Sequence, residues 1–131
     1  MSGHILLVED EDNLRRIVRV FLESAGFQVT CAASGDEAYE IFLREPDIFD
    51  LIVTDVIMPG KLQGPMLVRK IREIRDDFSV VYVSGYPHEA NVHGNGIRAT
   101  DVSLTKPIER NTFITAVKRA IGKVGAMEAK Y

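Results

Sequence analysis

Short apolar runs alternate along the chain with longer stretches in which apolar side chains recur every three or four positions, and the cycle repeats almost from end to end. A run of four to six apolar residues predicts a strand buried on both faces; recurrence at i, i+3 and i+4 predicts an amphipathic helix. "HILLVE" at 4–9 is the first strand, and Leu14, Ile17, Val18, Phe21 and Leu22 mark a first helix that stops at Gly26. "FQVTCAA" is the second strand. The second helix, "SGDEAYEIFLRE", opens with Ser34 and Glu37 at capping-box spacing and closes before Pro46. "DLIVTD" is the third strand, and "GPMLVRKIREIR" the third helix, with Met66, Leu67, Ile71 and Ile74 as its predicted stripe. "SVVYVSG" and "DVSLT" supply strands four and five, and "ERNTFITAVKRAIG" a last helix carrying Phe113, Ile114, Val117 and Ile121. Between strands four and five, "YPHEANVHGNGIRAT" has one proline, two glycines and little stripe, so at most a short, weak helix is expected near 88–93.

Strands alternating with helices predict an α/β fold, a five-stranded parallel sheet with helices on both faces. With strand order 2-1-3-4-5, the first and third strands are neighbours where the order reverses. Ligands of open α/β sheets bind there, beyond the carboxyl ends of the strands. A length of 131 residues suits one domain with a real core. A formal charge of −3 and pI near 5.6 argue against a dominant contact with nucleic-acid backbone. The single cysteine, Cys31, has no partner for a disulfide or zinc motif, fits a reducing compartment and reads as a small buried residue. No apolar run approaches the roughly 20 residues that cross a bilayer, so a cytoplasmic chain without a membrane anchor is expected. His4, His88 and His93 lack a metal-ligand spacing and read as surface residues.

The chemistry gathers at strand ends. Glu9 and Asp10 close the first strand and Asp55 the third, so three carboxylates converge in that strand order. Such a cluster repels itself unless a hard cation neutralises it, and Mg²⁺ suits one or two carboxylates with room for phosphate oxygens. Strand four adds the hydroxyl of Ser84 and strand five the ammonium of Lys106. The set suits a phosphoryl group joined to Asp55, with the carboxylate as nucleophile, cation and lysine neutralising charge, and the serine donating a hydrogen bond. Taken singly, each residue has an ordinary reading: Asp55 an Asx turn, Asp10 or Asp12 a helix cap, Ser84 turn chemistry, Lys106 a solvated lysine. The ordinary readings do not explain why all fall on the carboxyl ends of successive strands.

The ordered set resembles the receiver domain of two-component response regulators, the CheY-like family. The matching motifs are Glu9 and Asp10 after strand one, "DVIMP" at Asp55–Pro59, Ser84 and Gly85 after strand four, and Lys106-Pro107 after strand five. The resemblance covers 4–122 and leaves 123–131 as a tail or linker. It implies a flavodoxin-like, doubly wound (βα)5 fold and a signalling receiver rather than an enzyme. Asp55 would be the phosphoacceptor, and Mg²⁺ would be held by Asp10 and Asp55, by Glu9 through water, and by the Ile57 backbone carbonyl. Ser84 and Lys106 would read the phosphoryl group, with Lys106-Pro107 often cis. The implied partners are a sensor histidine kinase or histidine phosphotransfer protein, and a downstream effector or attached domain; homodimers are common in the family. Similarity of "VSGY" and "MPG..QGP" to receivers of hybrid kinases leaves a stand-alone regulator and an excised receiver equally open. A receiver that serves only as a docking module, independent of phosphorylation, is the alternative.

Two departures from the family pattern matter. The conserved switch aromatic, three residues before the lysine, is replaced by Ser103, leaving Tyr82 or Tyr86 to assume part of its role. Gly64 follows Asp55 by nine positions rather than the usual eight, so one extra residue must be absorbed locally. Ile57 and Tyr86 would flank the water path to the acyl phosphate, and neither orients water, so slow autodephosphorylation is expected. Ile57 also stands where a phosphohydrolase of the haloacid-dehalogenase type needs a second aspartate. The acidic "VEDEDN" replaces the glycine-rich turn that a nucleotide-binding module would use.

Overall fold

The computed structural model describes residues 3–58, 60, 62–85 and 101–129, with side chains as far as Gly122. Five strands, β1 (His4–Val8), β2 (Gln28–Ala32), β3 (Leu51–Asp55), β4 (Ser79–Ser84) and β5 (Val102–Thr105), form one parallel sheet of order β2-β1-β3-β4-β5. Helices α1 (Asp12–Ser24), α2 (Gly35–Arg44), α3 (Gly64–Ile74) and α4 (Arg110–Ala129) accompany it. The helix expected near 88–93 and Tyr86 lie outside the described residues. The α4 backbone runs to Ala129, past the Gly122 limit read from sequence.

Alternation along each strand divides the core into two layers. Leu6, Val8, Ile52, Val80 and Tyr82 meet Phe42 of α2 and Leu67, Val68 and Ile71 of α3. Ile5, Leu7, Leu51, Val53, Val81 and Val83 meet Val18 and Leu22 of α1 and Phe113 and Val117 of α4. Every position of β3 is buried, as its apolar run implies. Full burial of each such side chain contributes roughly 1.5–3 kcal/mol.

The helix faces differ in part from the sequence stripe. Ile17, Met66 and Ile74 are exposed, while Val68 and Arg72 are buried. Ser34 caps α2 as predicted, accepting the Glu37 N–H at 3.1 Å, but the Glu37 carboxylate takes the Ala33 N–H rather than that of Ser34. Cys31 is half-buried, not buried. His4 is half-buried too: its Nε2 lies 2.7 Å from Thr30 Oγ1 and its ring packs on Phe49. No helix among the described residues is long and apolar enough to cross a membrane.

Candidate functional site

Strand register brings the acids together. Val8 pairs with Thr54, so the next residues, Glu9 and Asp55, stand side by side at the carboxyl edge. Asp55 pairs with Val83, which puts Ser84 one step beyond; Ser84 pairs with Thr105, which puts Lys106 one step beyond that. Three ladder-like bonds extend the sheet into the site: Glu9 N–H to the Ala32 carbonyl at 3.1 Å, Val56 N–H to Val83 at 3.2 Å, and Lys106 N–H to Ser84 at 2.7 Å.

Glu9, Asp10 and Asp55 each offer a carboxylate oxygen, all within 4.8 Å of one another. Glu9 and Asp55 are each only 4% exposed, whereas Asp10 faces solvent. Lys106 Nζ reaches Asp55 Oδ1 at 3.0 Å and Glu9 Oε1 at 3.4 Å. Glu9 is fixed further by the Glu11 N–H on its Oε2 at 3.0 Å, while Arg15 donates to the Glu9 carbonyl at 2.9 Å. Ser84 is buried. The Ile57 side chain is exposed; its carbonyl has the role given above only by family resemblance.

Were all three acids ionised, one ammonium would leave two negative charges uncompensated. Burial first, then the hydrogen bond and charge of Glu9, push the Asp55 carboxyl up to about 8, against the pull of Lys106. Burial draws the Lys106 ammonium down, but Asp55 and then Glu9 outweigh it, so the net displacement is upward. Asp55 Oδ2 is buried without a hydrogen-bond partner. An orphaned carboxylate oxygen beside two further acids fits a hard, oxygen-seeking divalent cation, so the donor set matches Mg²⁺.

The loop after β3 is held by residues that sequence reading passed over. Gln63 clamps Met58 from both sides of its amide, accepting the Met58 N–H and donating to its carbonyl, each at 2.6 Å. Gly64 donates to the Val56 carbonyl at 2.9 Å, and a Cβ there would run into the Asp55 carbonyl oxygen. The close approach that demands glycine therefore survives the extra loop residue. Only the Gly64-Pro65 pair at the helix start hinted at this. Ser103 is exposed and pairs in register with Tyr82, which is fully buried in the core. The Lys106-Pro107 peptide is cis, as the resemblance implied.

This sheet order, with acids, hydroxyl and lysine on its carboxyl edge, defines a signalling receiver, and the chain belongs to the response regulator receiver domain family, whose profile matches residues 5–118. Among its relatives is the sensor kinase CckA of Brucella abortus (strain 2308), 38% identical over 122 residues that span 93% of this chain and 13% of CckA. The receiver protein CpdR of the same organism is 33% identical over 118 residues, covering 89% of this chain and 95% of CpdR. The crystal structure of the CckA receiver domain superposes with a TM-score of 0.75 at 36% identity, covering 91% of this chain and 99% of that one. A receiver protein from Sinorhizobium medicae WSM419 gives 0.83 at 32% identity, with 92% and 95% covered.

Proposed function

We propose that Asp55 accepts a phosphoryl group from a phosphohistidine of a sensor kinase or histidine phosphotransfer protein, and that the modified chain signals through an effector or attached domain. The observation that carries this reading is the Asp55 carboxylate: one oxygen held by Lys106 at 3.0 Å, the other buried and unpartnered. A carboxylate oxygen attacks phosphorus in line, a P–O bond forms, the P–N bond breaks, and the histidine leaves with the electron pair. Lys106, already between Asp55 and Glu9, neutralises charge gathering on the phosphoryl oxygens. Ser84 donates its hydroxyl to one of those oxygens.

Asp10, Asp55, the Ile57 carbonyl and, through water, Glu9 would hold Mg²⁺. The ion supplies positive charge that lowers the proton affinity of Asp55 and offsets the phosphoryl charge. Ile17 and Val20 of α1 are exposed, with Arg16 and Arg19 beside them in the sequence, and offer a partner an apolar and basic footing. We assign the acceptor domain to 4–122 and the location to the cytoplasm, where kinase and phosphotransfer partners act.

The test is incubation with Mg²⁺ and a small acyl phosphate, followed by intact mass, with Asp55→Asn alongside. A single phosphoryl adduct that needs both Mg²⁺ and Asp55, and is lost slowly, is the expected result. A folded, Mg²⁺-binding protein that takes up no phosphoryl group would instead make it a docking module that works without phosphorylation.

A further inference from the structure

Lys106 is carried by the least secured strand of the sheet. β5 has four residues, lies at the edge of the sheet beside β4 among the described residues, and leaves Ser103 and Thr105 exposed. A short edge strand has few bonds to fix its register, and a slip moves every side chain along or across the sheet. One residue of slip would displace Lys106 by about 3.3 Å and turn it to the other face. The observed contacts of 3.0 Å with Asp55 and 3.4 Å with Glu9 tolerate no such error.

At the opposite end of β5 stands a buried ion pair. Asp101 precedes the strand, and its carboxylate receives the Arg72 guanidinium in a two-pronged bond, Nη1 to Oδ2 at 2.9 Å and Nη2 to Oδ1 at 2.6 Å. The side chains are 7% and 3% exposed. The same guanidinium donates Nε and Nη2 to the Phe78 carbonyl at 3.2 and 2.9 Å. Phe78 precedes β4 as Asp101 precedes β5, so one planar group from α3 grips the entries of both strands. A buried pair of this kind costs desolvation and is weak evidence of added stability; its best-attested use is to specify register. The fixed fork of arginine makes it a gauge that a lysine would not reproduce.

We propose that Arg72 and Asp101 are positioning residues for Lys106: they set the register in which β5 presents its lysine to Asp55 and Glu9. The inference deepens the phosphoacceptor reading and rests on it for its functional consequence, though not for its structural one. Its structural reporter is the Lys106 N–H, bonded to the Ser84 carbonyl at 2.7 Å, whose hydrogen exchange can be compared with that of amides in the central strand β1.

The full chain is tested as Asp101→Asn, Arg72→Lys and the double variant Arg72→Met/Asp101→Leu, which removes the buried charges together and so guards against simple misfolding. Each is expected to speed exchange at Lys106 at least tenfold relative to β1 and to slow phosphoryl uptake from an acyl phosphate severalfold. In a Lys106→Met background, Asp101→Asn should slow uptake no further. A folded double variant with exchange at Lys106 and uptake both within twofold of wild type would overturn the proposal, as would an Asp101→Asn loss of uptake that persists in full without Lys106. Absence of uptake by the wild type sinks the phosphoacceptor reading instead, and the exchange comparison still decides the register role.

Discussion

Replacing Asp55 by asparagine should stabilise the protein, by an amount that grows with pH. The carboxyl's ordinary value is 3.8, and in the fold it is pushed up to about 8. Between these values the unfolded chain has released the proton and the folded chain retains it. The folded state then binds more protons, so stability falls as pH rises, from no penalty below the unfolded value to the whole penalty above the folded one. The slope is about 1.4 kcal/mol per pH unit, which puts the cost near pH 7 at roughly 4 kcal/mol as an upper figure. Asparagine keeps the shape and removes the titration. Urea unfolding of both proteins at 25 °C, with chelator present, should give the variant an advantage of roughly 1 kcal/mol at pH 5, rising to roughly 2–4 kcal/mol at pH 7. Adding Mg²⁺ should stabilise the wild type and narrow the gap, since a ligand that binds only the folded state adds its binding energy to stability. A gap that stays level from pH 5 to 8, or an asparagine variant less stable than wild type at pH 8, would refute the reasoning.

Three further outcomes follow from the geometry. Gly64→Ala forces a Cβ against the Asp55 carbonyl and should cost about 2 kcal/mol or more in urea unfolding, with weaker Mg²⁺ binding by calorimetry. Lys106→Met removes the ammonium that Asp55 and Glu9 share and should cost about 1–3 kcal/mol in urea unfolding at pH 7. Val18→Ala should cost about 1–3 kcal/mol and its exposed neighbour Ile17→Ala about 0.5 kcal/mol or less; equal losses would mean that the face of α1 has been misread.

What sequence made legible was the chemistry at the strand ends. β3 is apolar on both faces because both faces are covered, so the first charge after Thr54, itself buried, marks where the site begins. The same logic located Glu9, Ser84 and Lys106, and register then set them side by side. The helix faces were less legible, because hydrophobicity was taken as the mark of burial. On α3 the buried side is Gly64, Leu67, Val68, Ile71 and Arg72, while Met66 and Ile74 point outward. Arg72 sits on that side only because Asp101, 29 residues away, and the Phe78 carbonyl satisfy its charge and donors. No local pattern carries such a partner. Its position four residues after Val68 was the one available clue. Gln63 was hidden for a similar reason: its value lies in a loop geometry that composition does not encode. The continuation of α4 past Gly122 runs against an intrinsic cost of about 1 kcal/mol for glycine in a helix interior, which is why glycine reads as a stop in the sequence.

Two buried ionic groups break the rule that charge stays outside, and they break it differently. At Arg72 and Asp101 the charges cancel, and bonds to Asp101 and the Phe78 carbonyl use every guanidinium nitrogen and both carboxylate oxygens. The pair's place at the strand entries suits a fixed part of the frame. At Asp55 the balance is left open: three acids, one lysine and a carboxylate oxygen without a partner. A fold under selection for stability alone would neutralise or replace that group, since asparagine fits the same space. Retained imbalance at one end of a completely buried strand is what a site requires if positive charge, and then a phosphoryl group, is to change its energy. On the proposals made above, the satisfied pair would hold the lysine's strand in register, and the unbalanced cluster is where that lysine meets Asp55 and Glu9.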